Sequence, residues 1–393
     1  MKTLELITSS LCNLNCVYCY RDNNIEEHER ILNWSSSLVD DVEKHHELFK
    51  DIDQISLWGG EPTTSIHAFI EPLKKLLQRY TNVKKVLIST NFTNIEPFIP
   101  LIEALLDVDV IITFQISIDG PNNIMLQSRG ILVETIFDNI KKIHELFKNT
   151  KIDYLTKATW GSETLELLSD YPQLVDEYYS FMEDLKDYYK LISYSDTTSG
   201  YFKMSNKAFY VIPHTYSVKD GMNFKKVMEE SVKLKKEKPS IMIPFQFTID
   251  VMANEYHYGT GKCSGGTTTY ACSKDGLAGC HRSAIYNEPP FLVYDINKSR
   301  YIIEGFKLFD KFRFKAIQIL INELALSGQI RREYLKKEKA LIFSKFIASS
   351  VSCHVENYRS NGSMFLTSNG LIRLLGQFDL ISLLEEYKYC RGN

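Results

Sequence analysis

The sequence predicts an α/β fold on a parallel sheet, either open or curled into a barrel. Two observations carry the prediction. Strand-like runs alternate with amphipathic helical runs from residue 3 to about residue 160. The conspicuous polar motifs then fall directly after strand candidates, where parallel sheets place their chemistry. At 393 residues, 44% hydrophobic and 24% charged, the chain has the length and balance to bury a large core.

The strand candidates, in order, are Thr3–Ser10, Gln54–Gly60, Lys85–Asn91, Val110–Gly120 and Ile152–Thr159. Each is rich in β-branched and apolar residues and is bounded by turn formers. Helices are predicted over His67–Tyr80 and Leu132–Lys148, where apolar residues recur at three-and-four spacing. Beyond Trp160 the rhythm weakens. The aromatic-rich run Tyr178–Asp196 reads as helix then loop, Ala208–Pro213 as a sixth strand and Phe224–Lys238 as a helix. Pro239 ends that helix, which sets an expected domain boundary near residue 240. The segment Gly259–His281 is rich in Gly, Thr and Cys, and Tyr301–Ser349 is helical and basic. Within the former, TTTYAC followed by KDG predicts a β-hairpin.

The rim motifs are Cys12, Cys16 and Cys19 after the first strand, Gly59-Gly60-Glu61-Pro62 after the second, Ser89-Thr90-Asn91 at the end of the third, and Ser117 and Asp119 after the fourth. The cysteines are spaced C-x3-C-x2-C, one short of the four ligands of a structural zinc site. His28 is the nearest imidazole, but it lies in IEEHER, which reads as a solvated helix face. A cubane iron–sulfur cluster normally takes four thiolates, so three on one short loop leave an iron open to a substrate or cofactor.

Several classes are excluded at this point. A formal net charge of −3 gives no electrostatic footprint for nucleic acid. No apolar run is long enough to span a bilayer, and MKTLELITSS does not read as an export signal. A cytoplasmic protein with reduced or metal-bound cysteines is therefore expected rather than a disulfide framework.

The cysteine motif directly after a first strand resembles the radical S-adenosylmethionine (SAM) superfamily. That resemblance implies a partial (β/α)6 barrel over residues 1–240 and a [4Fe-4S] cluster on Cys12, Cys16 and Cys19. In the family the open iron is chelated by SAM, which is cleaved reductively to methionine and a 5′-deoxyadenosyl radical. Carried over by position, Tyr18 packs near the adenine, and Gly59, Gly60, Glu61 and Pro62 bind the methionine amino group. Ser89, Asn91, Ser117 and Asp119 contact SAM, and Arg129 meets its carboxylate.

The second cysteine group, Cys263, Cys272 and Cys280, resembles the start of a SPASM or twitch extension, which carries auxiliary clusters. This implies a smaller domain over residues 241–393 with a helical insertion and tail. Five cysteines follow Cys19 and the compact C-x2-C pair of a full SPASM domain is absent. One auxiliary [4Fe-4S] cluster is therefore expected, on Cys263, Cys280, Cys353 and Cys390, with Cys272 as a substitute ligand or a core thiol. His281 follows Cys280 where sulfatase-maturing relatives carry an Asp base, which argues against sulfatase maturation. It is read as a proton acceptor or as a hydrogen-bond donor to cluster sulfur.

The resemblance implies a ribosomally made peptide or protein as substrate, an oxidative thioether or C–C crosslink as product, and a flavodoxin- or ferredoxin-type reductant. Because the first strand candidate opens the chain, a separate leader-binding protein is expected, or the aromatic residues Tyr178, Tyr179, Phe181, Tyr188 and Tyr189 line a peptide groove, although such a stripe also reads as core. Three alternatives stand beside this reading: a radical SAM dehydrogenase or mutase on a small metabolite, a non-catalytic iron–sulfur scaffold or electron carrier, and a zinc-binding module.

Overall fold

The structure, a computed structural model, describes residues 2–19, 21, 23–195, 218–238, 268–278, 281 and 293–294. The expected strand 208–213, the boundary near residue 240, the basic helices after Tyr301, and Cys263, Cys280, Cys353 and Cys390 lie outside these residues. The described parts of 2–158, 186–208 and 264–306 form one compact unit, and those of 159–185, 209–263 and 307–393 a second.

The first unit is an α/β fold around a sheet in which parallel pairing dominates. Its strands are β1 (Thr3–Ile7), β2 (Gln54–Trp58), β3 (Lys85–Thr90), β4 (Ile111–Ile116), β5 (Ile152–Thr156), β6 (Thr269–Ser273), β7 (Gly276–Ala278) and β8 (Val293–Tyr294). Their spatial order is β5-β4-β3-β2-β1-β6-β7-β8. All neighbours from β5 to β6 are parallel, and β7 and β8 are added antiparallel. The five strand candidates are thus all present. The predicted hairpin is β6–β7, with Gly276 at φ +106° in its turn, where a Cβ would be strained. Its strand β6 lies directly beside β1, on the side away from β2.

Register gives the two faces of this sheet opposite characters, since side chains alternate along a strand. One face carries Leu4 and Leu6, Ile55 and Leu57, Val86 and Ile88, Ile112, Phe114 and Ile116, then Ile152 and Tyr154, all buried. Helices cover it. These include α3 (His46–Phe49), whose Phe49 ring meets Tyr270 of β6 at 6.3 Å, and α5 (Phe98–Ala104), whose Phe98 meets Phe114 at 5.1 Å. Helices α4 (Ile70–Arg79) and α7 (Val133–Leu146) bury Leu73, Leu76 and Leu77, and Val133, Ile136, Ile140 and Ile143. Burying such a side chain contributes about 1.5–3 kcal/mol.

The other face is polar. One row across it reads Ala271, Glu5, Ser56, Leu87, Thr113 and Asp153. Above and below stand Trp58, Ser89, Gln115, Gln54 and Lys85, with Ile7, Ile111 and Leu155 as apolar members of the same face. A parallel sheet covered on both sides normally reads as near-continuous apolar runs, so a polar face is a departure that calls for a functional explanation.

In α1 (Ile25–Trp34), His28 is buried, with Nδ1 3.4 Å from Ser9 Oγ. This corrects the reading of IEEHER as wholly solvated, because His28, Ile31 and Trp34 form the inward stripe while the glutamates face out. Helix α2 (Leu38–Glu43) follows, and α6 (Asn122–Arg129) ends on Gly130 in the left-handed region at φ +71°.

The second unit holds α8 (Ser162–Asp170), the first part of α9 (Gln173–Ile192) and α10 (Val218–Glu237). Tyr178 and Tyr179 are fully buried there. Tyr178 meets Trp160 edge-on at 5.0 Å, and the Tyr179 and Ser231 hydroxyls are 2.8 Å apart. In the first unit, Tyr189 is buried against Tyr154, and its hydroxyl accepts from Thr156. These three tyrosines are core residues. Phe181 and Tyr188 are half-buried.

Candidate active site

The site is assembled at the carboxyl ends of β1 to β5. After β1 the chain runs through buried Thr8, Ser9 and Ser10 into the loop that carries Cys12, Cys16 and Cys19. That loop lies directly on Gly59 and Gly60. The Gly60 N–H donates to the Ser9 carbonyl at 2.9 Å, and the Glu61 N–H to the Leu11 carbonyl at 2.7 Å, so β1–β2 pairing continues past the strands themselves. A Cβ on Gly59 would sit 2.5 Å from the Ser9 carbonyl oxygen, and one on Gly60 2.1 Å from that of Leu11. The glycines therefore admit the backbone of the cysteine loop, and both stand where any side chain would push that loop away.

Glu61 ties the second strand end to the third. Its carboxylate is fully buried and accepts from Thr90 Oγ1 (2.7 Å), the Asn91 N–H (2.7 Å), and the Thr63 N–H and Oγ1 (3.3 and 3.2 Å). Burial pushes its pKa up, and the hydrogen bonds oppose that only in part. Pro62 is buried at the start of the following 3₁₀ turn.

Asn91 is held on every side. Its Oδ1 accepts from the Thr93 N–H (3.0 Å) and Oγ1 (2.7 Å), which fixes the amide orientation. Its Nδ2 then donates to Asn13 Oδ1 (2.8 Å) and lies 3.7 Å from Cys12 Sγ. The next residue, Phe92, has φ +58°, an uncommon conformation for a bulky side chain. It is kept there by Asn139, whose Nδ2 donates to the Phe92 carbonyl, and by the Phe98 and Phe114 rings.

At the fourth strand end, buried Asp119 accepts from Arg129 Nε (2.7 Å) and Nη2 (3.0 Å), from Ser128 Oγ (3.0 Å) and from the Tyr18 hydroxyl (2.5 Å). The Arg129 guanidinium sits 5.4 Å from the Tyr18 ring centroid, with Nη1 3.7 Å from Cys16 Sγ. Burial alone would disfavour the Arg129 charge, but Asp119, then Tyr18 and Cys16, more than reverse this and hold it protonated. Ser89 accepts from Gln115 Nε2 at 3.1 Å, and the Ser117 N–H donates to the Thr90 carbonyl. Both seryl side chains are half-buried.

The three thiols feel one another. Burial pushes Cys12 up to about 11, helped by the negative charges of Glu61, Cys16 and Cys19. Burial also raises Cys16, while Arg129 pulls it back. Cys19 is exposed. Among the described residues no three ligating side chains close to the geometry of a single metal ion. A cubane places each thiolate on a different iron, which asks for wider spacing on one loop.

Elsewhere on the polar face, His281 is fixed on Glu5. The His281 N–H donates to Glu5 Oε2 at 2.7 Å, with Nδ1 3.1 Å from the same oxygen. Its ring stacks on Trp58 at 4.0 Å and 3°, and Lys157 Nζ lies 4.8 Å from the Trp58 centroid. Sequence reasoning did not single out Glu5, Trp58, Lys157, Asn13 or Thr93. Only Glu5 carried a signal, as a lone carboxylate inside an apolar strand. Cys272, by contrast, is buried in β6, and burial raises its thiol to about 12, which places it in the core.

Fold and site together define an α/β enzyme domain that offers a three-thiol loop, hydrogen-bonded at its sulfurs, over the carboxyl rim of a parallel sheet. Residues 6–192, just under half of the chain, match the model of the Radical SAM superfamily. Among solved structures the chain is similar to anSMEcpe with bound AdoMet, with 18% identity over 71% of this chain and 74% of that one, TM-score 0.42. It is also similar to Streptococcus suis SuiB bound to precursor peptide SuiA, with 17% identity over 73% and 61%, TM-score 0.41. The same protein bound to S-adenosylmethionine gives 16% identity over 73% and 62%, TM-score 0.40. The match thus spans less than two thirds of the SuiB chain. No curated protein matches. The family implies a [4Fe-4S] cluster and SAM. The donor set fits the cluster: three thiols on one loop, with N–H groups of Leu14 (3.4 Å), Asn91 and Arg129 directed at two of the sulfurs.

Proposed function

We propose that the chain is a radical SAM enzyme that acts on a ribosomally made peptide or protein and closes an oxidative crosslink, a thioether or a C–C bond, within a partial (β/α)6 barrel. The observation that carries the catalytic part is the meeting of the three-thiol loop with Gly59-Gly60-Glu61 on the rim of a sheet whose inner face is polar. When bound, the cluster and SAM would supply a 5′-deoxyadenosyl radical for hydrogen abstraction and, at one auxiliary [4Fe-4S] cluster on Cys263, Cys280, Cys353 and Cys390, an acceptor for the electron released at bond closure. The chain's own residues do the rest. Cys12, Cys16 and Cys19 hold the cluster, and Ser89, Asn91, Ser117 and the rim backbone at Gly59 and Gly60 line the place for SAM. Arg129 uses three of its five N–H groups on Asp119 and Cys16 and keeps two for the SAM carboxylate. Tyr18, fixed through Asp119, borders the adenine. His281, braced by Glu5, takes the proton lost as the bond forms. A leader-binding protein and a flavodoxin- or ferredoxin-type reductant complete the system in a cytoplasmic setting.

The runner-up, a dehydrogenase or mutase on a small metabolite, is favoured by one observation. Among the described residues, buried Gln54 Oε1 and Thr113 Oγ1, and Trp58 Nε1, have no hydrogen-bond partner, as on a face that expects a small polar ligand.

The test is anaerobic reconstitution, with iron counted per chain and 5′-deoxyadenosine measured with SAM and dithionite. Wild type is compared with the Cys12/Cys16/Cys19→Ala triple variant. About eight irons falling to about four, with nucleoside release abolished, supports a SAM-cleaving cubane plus one auxiliary cluster. About four irons in wild type removes the auxiliary cluster and turns the reading toward a small metabolite. Zinc in place of iron, with no nucleoside, defeats the proposal.

A further inference from the structure

Two side chains at the rim aim a nitrogen at a cysteine sulfur, and each is held in place by hydrogen bonds to its own chain. Asn91 Nδ2 is 3.7 Å from Cys12 Sγ, and Arg129 Nη1 is 3.7 Å from Cys16 Sγ. We infer that Asn91 and Arg129 set the reduction potential of the cluster carried by Cys12, Cys16 and Cys19, by donating hydrogen bonds to two of its three thiolates. The inference rests on the cluster assignment above and goes beyond it in giving these two residues an electrostatic task separate from any contact with SAM.

The geometry is specific. Asn91 cannot turn its amide, because Oδ1 already accepts twice from Thr93 while Nδ2 also donates to Asn13 Oδ1. Asn13 Nδ2 in turn donates to Thr93 Oγ1 at 2.8 Å, which closes a ring of three side chains with Asn91 Nδ2 next to the Cys12 sulfur. Behind it, Glu61 takes the Asn91 N–H, and Phe92 holds its left-handed conformation under the Asn139 amide. Arg129 is fixed with equal economy. Its fork onto Asp119 uses Nε and Nη2 and leaves Nη1 toward Cys16, while Ser128 and Tyr18 also donate to Asp119 Oδ2.

The sign follows from charge. Reduction adds an electron to a cluster whose thiolates already carry negative charge, so an N–H dipole at sulfur stabilises the reduced state more than the oxidised one. Arg129 and Asp119 form a neutral pair, so the local N–H at Cys16 matters more than the net charge of the guanidinium. Among the described residues no donor is recorded at Cys19 Sγ, which is exposed. Among the described residues the side-chain donors thus fall on two of the three thiols, Cys12 and Cys16.

The experiment uses the reconstituted full chain without SAM, so that no turnover enters. Asn91→Ser and Asn91→Asp remove the amide donor, and Arg129→Lys keeps the charge but removes the fork. Iron content and the cluster's visible spectrum are measured first, then the midpoint by EPR-monitored potentiometry, following the signal that changes when SAM is added afterwards. The expected result is a midpoint shifted to more negative potential in each variant, with the Asn91→Ser shift added to that of Arg129→Lys in the double variant. An independent readout on the wild-type sequence uses protein labelled with ¹⁵N at arginine or at asparagine. Pulsed EPR of the reduced cluster should show a ¹⁵N coupling for each label. Unchanged midpoints with iron intact, or no coupling from either label, overturn the inference and leave the cluster assignment standing. Wild-type protein that takes up no iron overturns both.

Discussion

Gly60→Ala tests the construction of the site without touching a ligand. The new Cβ would lie 2.1 Å from the Leu11 carbonyl oxygen and 2.6 Å from its carbon, both backbone atoms with no rotamer to yield. Reaching an ordinary contact of about 3.5 Å requires the cysteine loop to retreat by about 1.4 Å. That retreat works against two hydrogen bonds, Gly60 N–H to Ser9 and Glu61 N–H to Leu11, which are worth about 1 kcal/mol each. Overpacking adds about 1–3 kcal/mol, so the variant is destabilised by about 3–5 kcal/mol in all. At about 2–4 °C per kcal/mol the melting temperature falls by about 10 °C. Because Leu11 precedes Cys12, the same shift displaces the first thiol, and iron retained after reconstitution should fall as well. Gly130→Ala is the control. Its Cβ meets nothing within 4 Å, and only the backbone at φ +71° is strained, at about 1 kcal/mol. The assay is thermal unfolding plus iron per chain for both variants. A Gly60→Ala protein that melts with wild type and holds the same iron would refute the claim that the glycines exist for the loop.

Three other outcomes follow from the same geometry. Glu61→Gln replaces one acceptor oxygen by a donor facing the Asn91 N–H or the Thr63 and Thr90 donors, and should cost about 1–3 kcal/mol in urea unfolding of the metal-free protein. Since burial raises the Glu61 pKa above its usual 4.5, its proton-linked stabilisation is full below pH 4.5 and is lost as pH rises through the raised value. The stability of wild type relative to Glu61→Gln should therefore be larger at pH 4 than at pH 7, and the opposite slope would disprove the assignment. Cys272→Ala should leave iron content unchanged and cost about 1 kcal/mol, and Cys272 should resist alkylation until the chain unfolds; a loss of iron would make it a ligand instead. Trp58→Phe keeps an aromatic seat for His281 and removes an unpartnered N–H, so stability should hold within about 0.5 kcal/mol. Trp58→Ala should cost about 2 kcal/mol and shift the His281 ring protons in NMR as the stacking is lost.

What could be read from the sequence was whatever local periodicity and position encode. Runs such as KVLIST and IITFQI are strands on their own residues, and the motifs that follow them must lie on one rim once the strands are parallel. What could not be read depends on partners far along the chain. Nothing near Gly60 says that Leu11 will sit on it, so the glycines read only as freedom for a ligand to approach. Glu5 reads as an oddity in β1 until β6 and His281 are placed beside it, and a five-residue strand such as TYACS gives no clue to its neighbour. The expectation for Arg129 was a ligand's carboxylate, whereas its first commitment is to Asp119 of its own chain. His28 was legible after all, since its spacing to Ile31 marks the inward side of α1, but the surrounding charges outweighed that signal.

The distribution of hydrogen bonds divides the site into two layers with different tasks. At the rim, Glu61, Asn91, Asp119 and Arg129 satisfy one another, so the frame around the thiols is built from the chain's own contacts and needs no ligand to order it. Among the described residues, Gln54 Oε1 and Thr113 Oγ1 below the rim and Trp58 Nε1 at the end of β2 have no partner, and a buried polar group left in that state costs about 1–3 kcal/mol. A fold keeps such groups where something else completes them. One acceptor, one donor and one hydroxyl spread over β2 and β4 can be completed by a hydrogen-bonding substrate group and cannot be completed by an apolar one. Selectivity built in this way is steep, because an analogue lacking the matching group leaves the protein's own atoms unpaired. The rim thus completes its own frame, while the unpaired groups stand where a hydrogen-bonding ligand would be favoured over an apolar one.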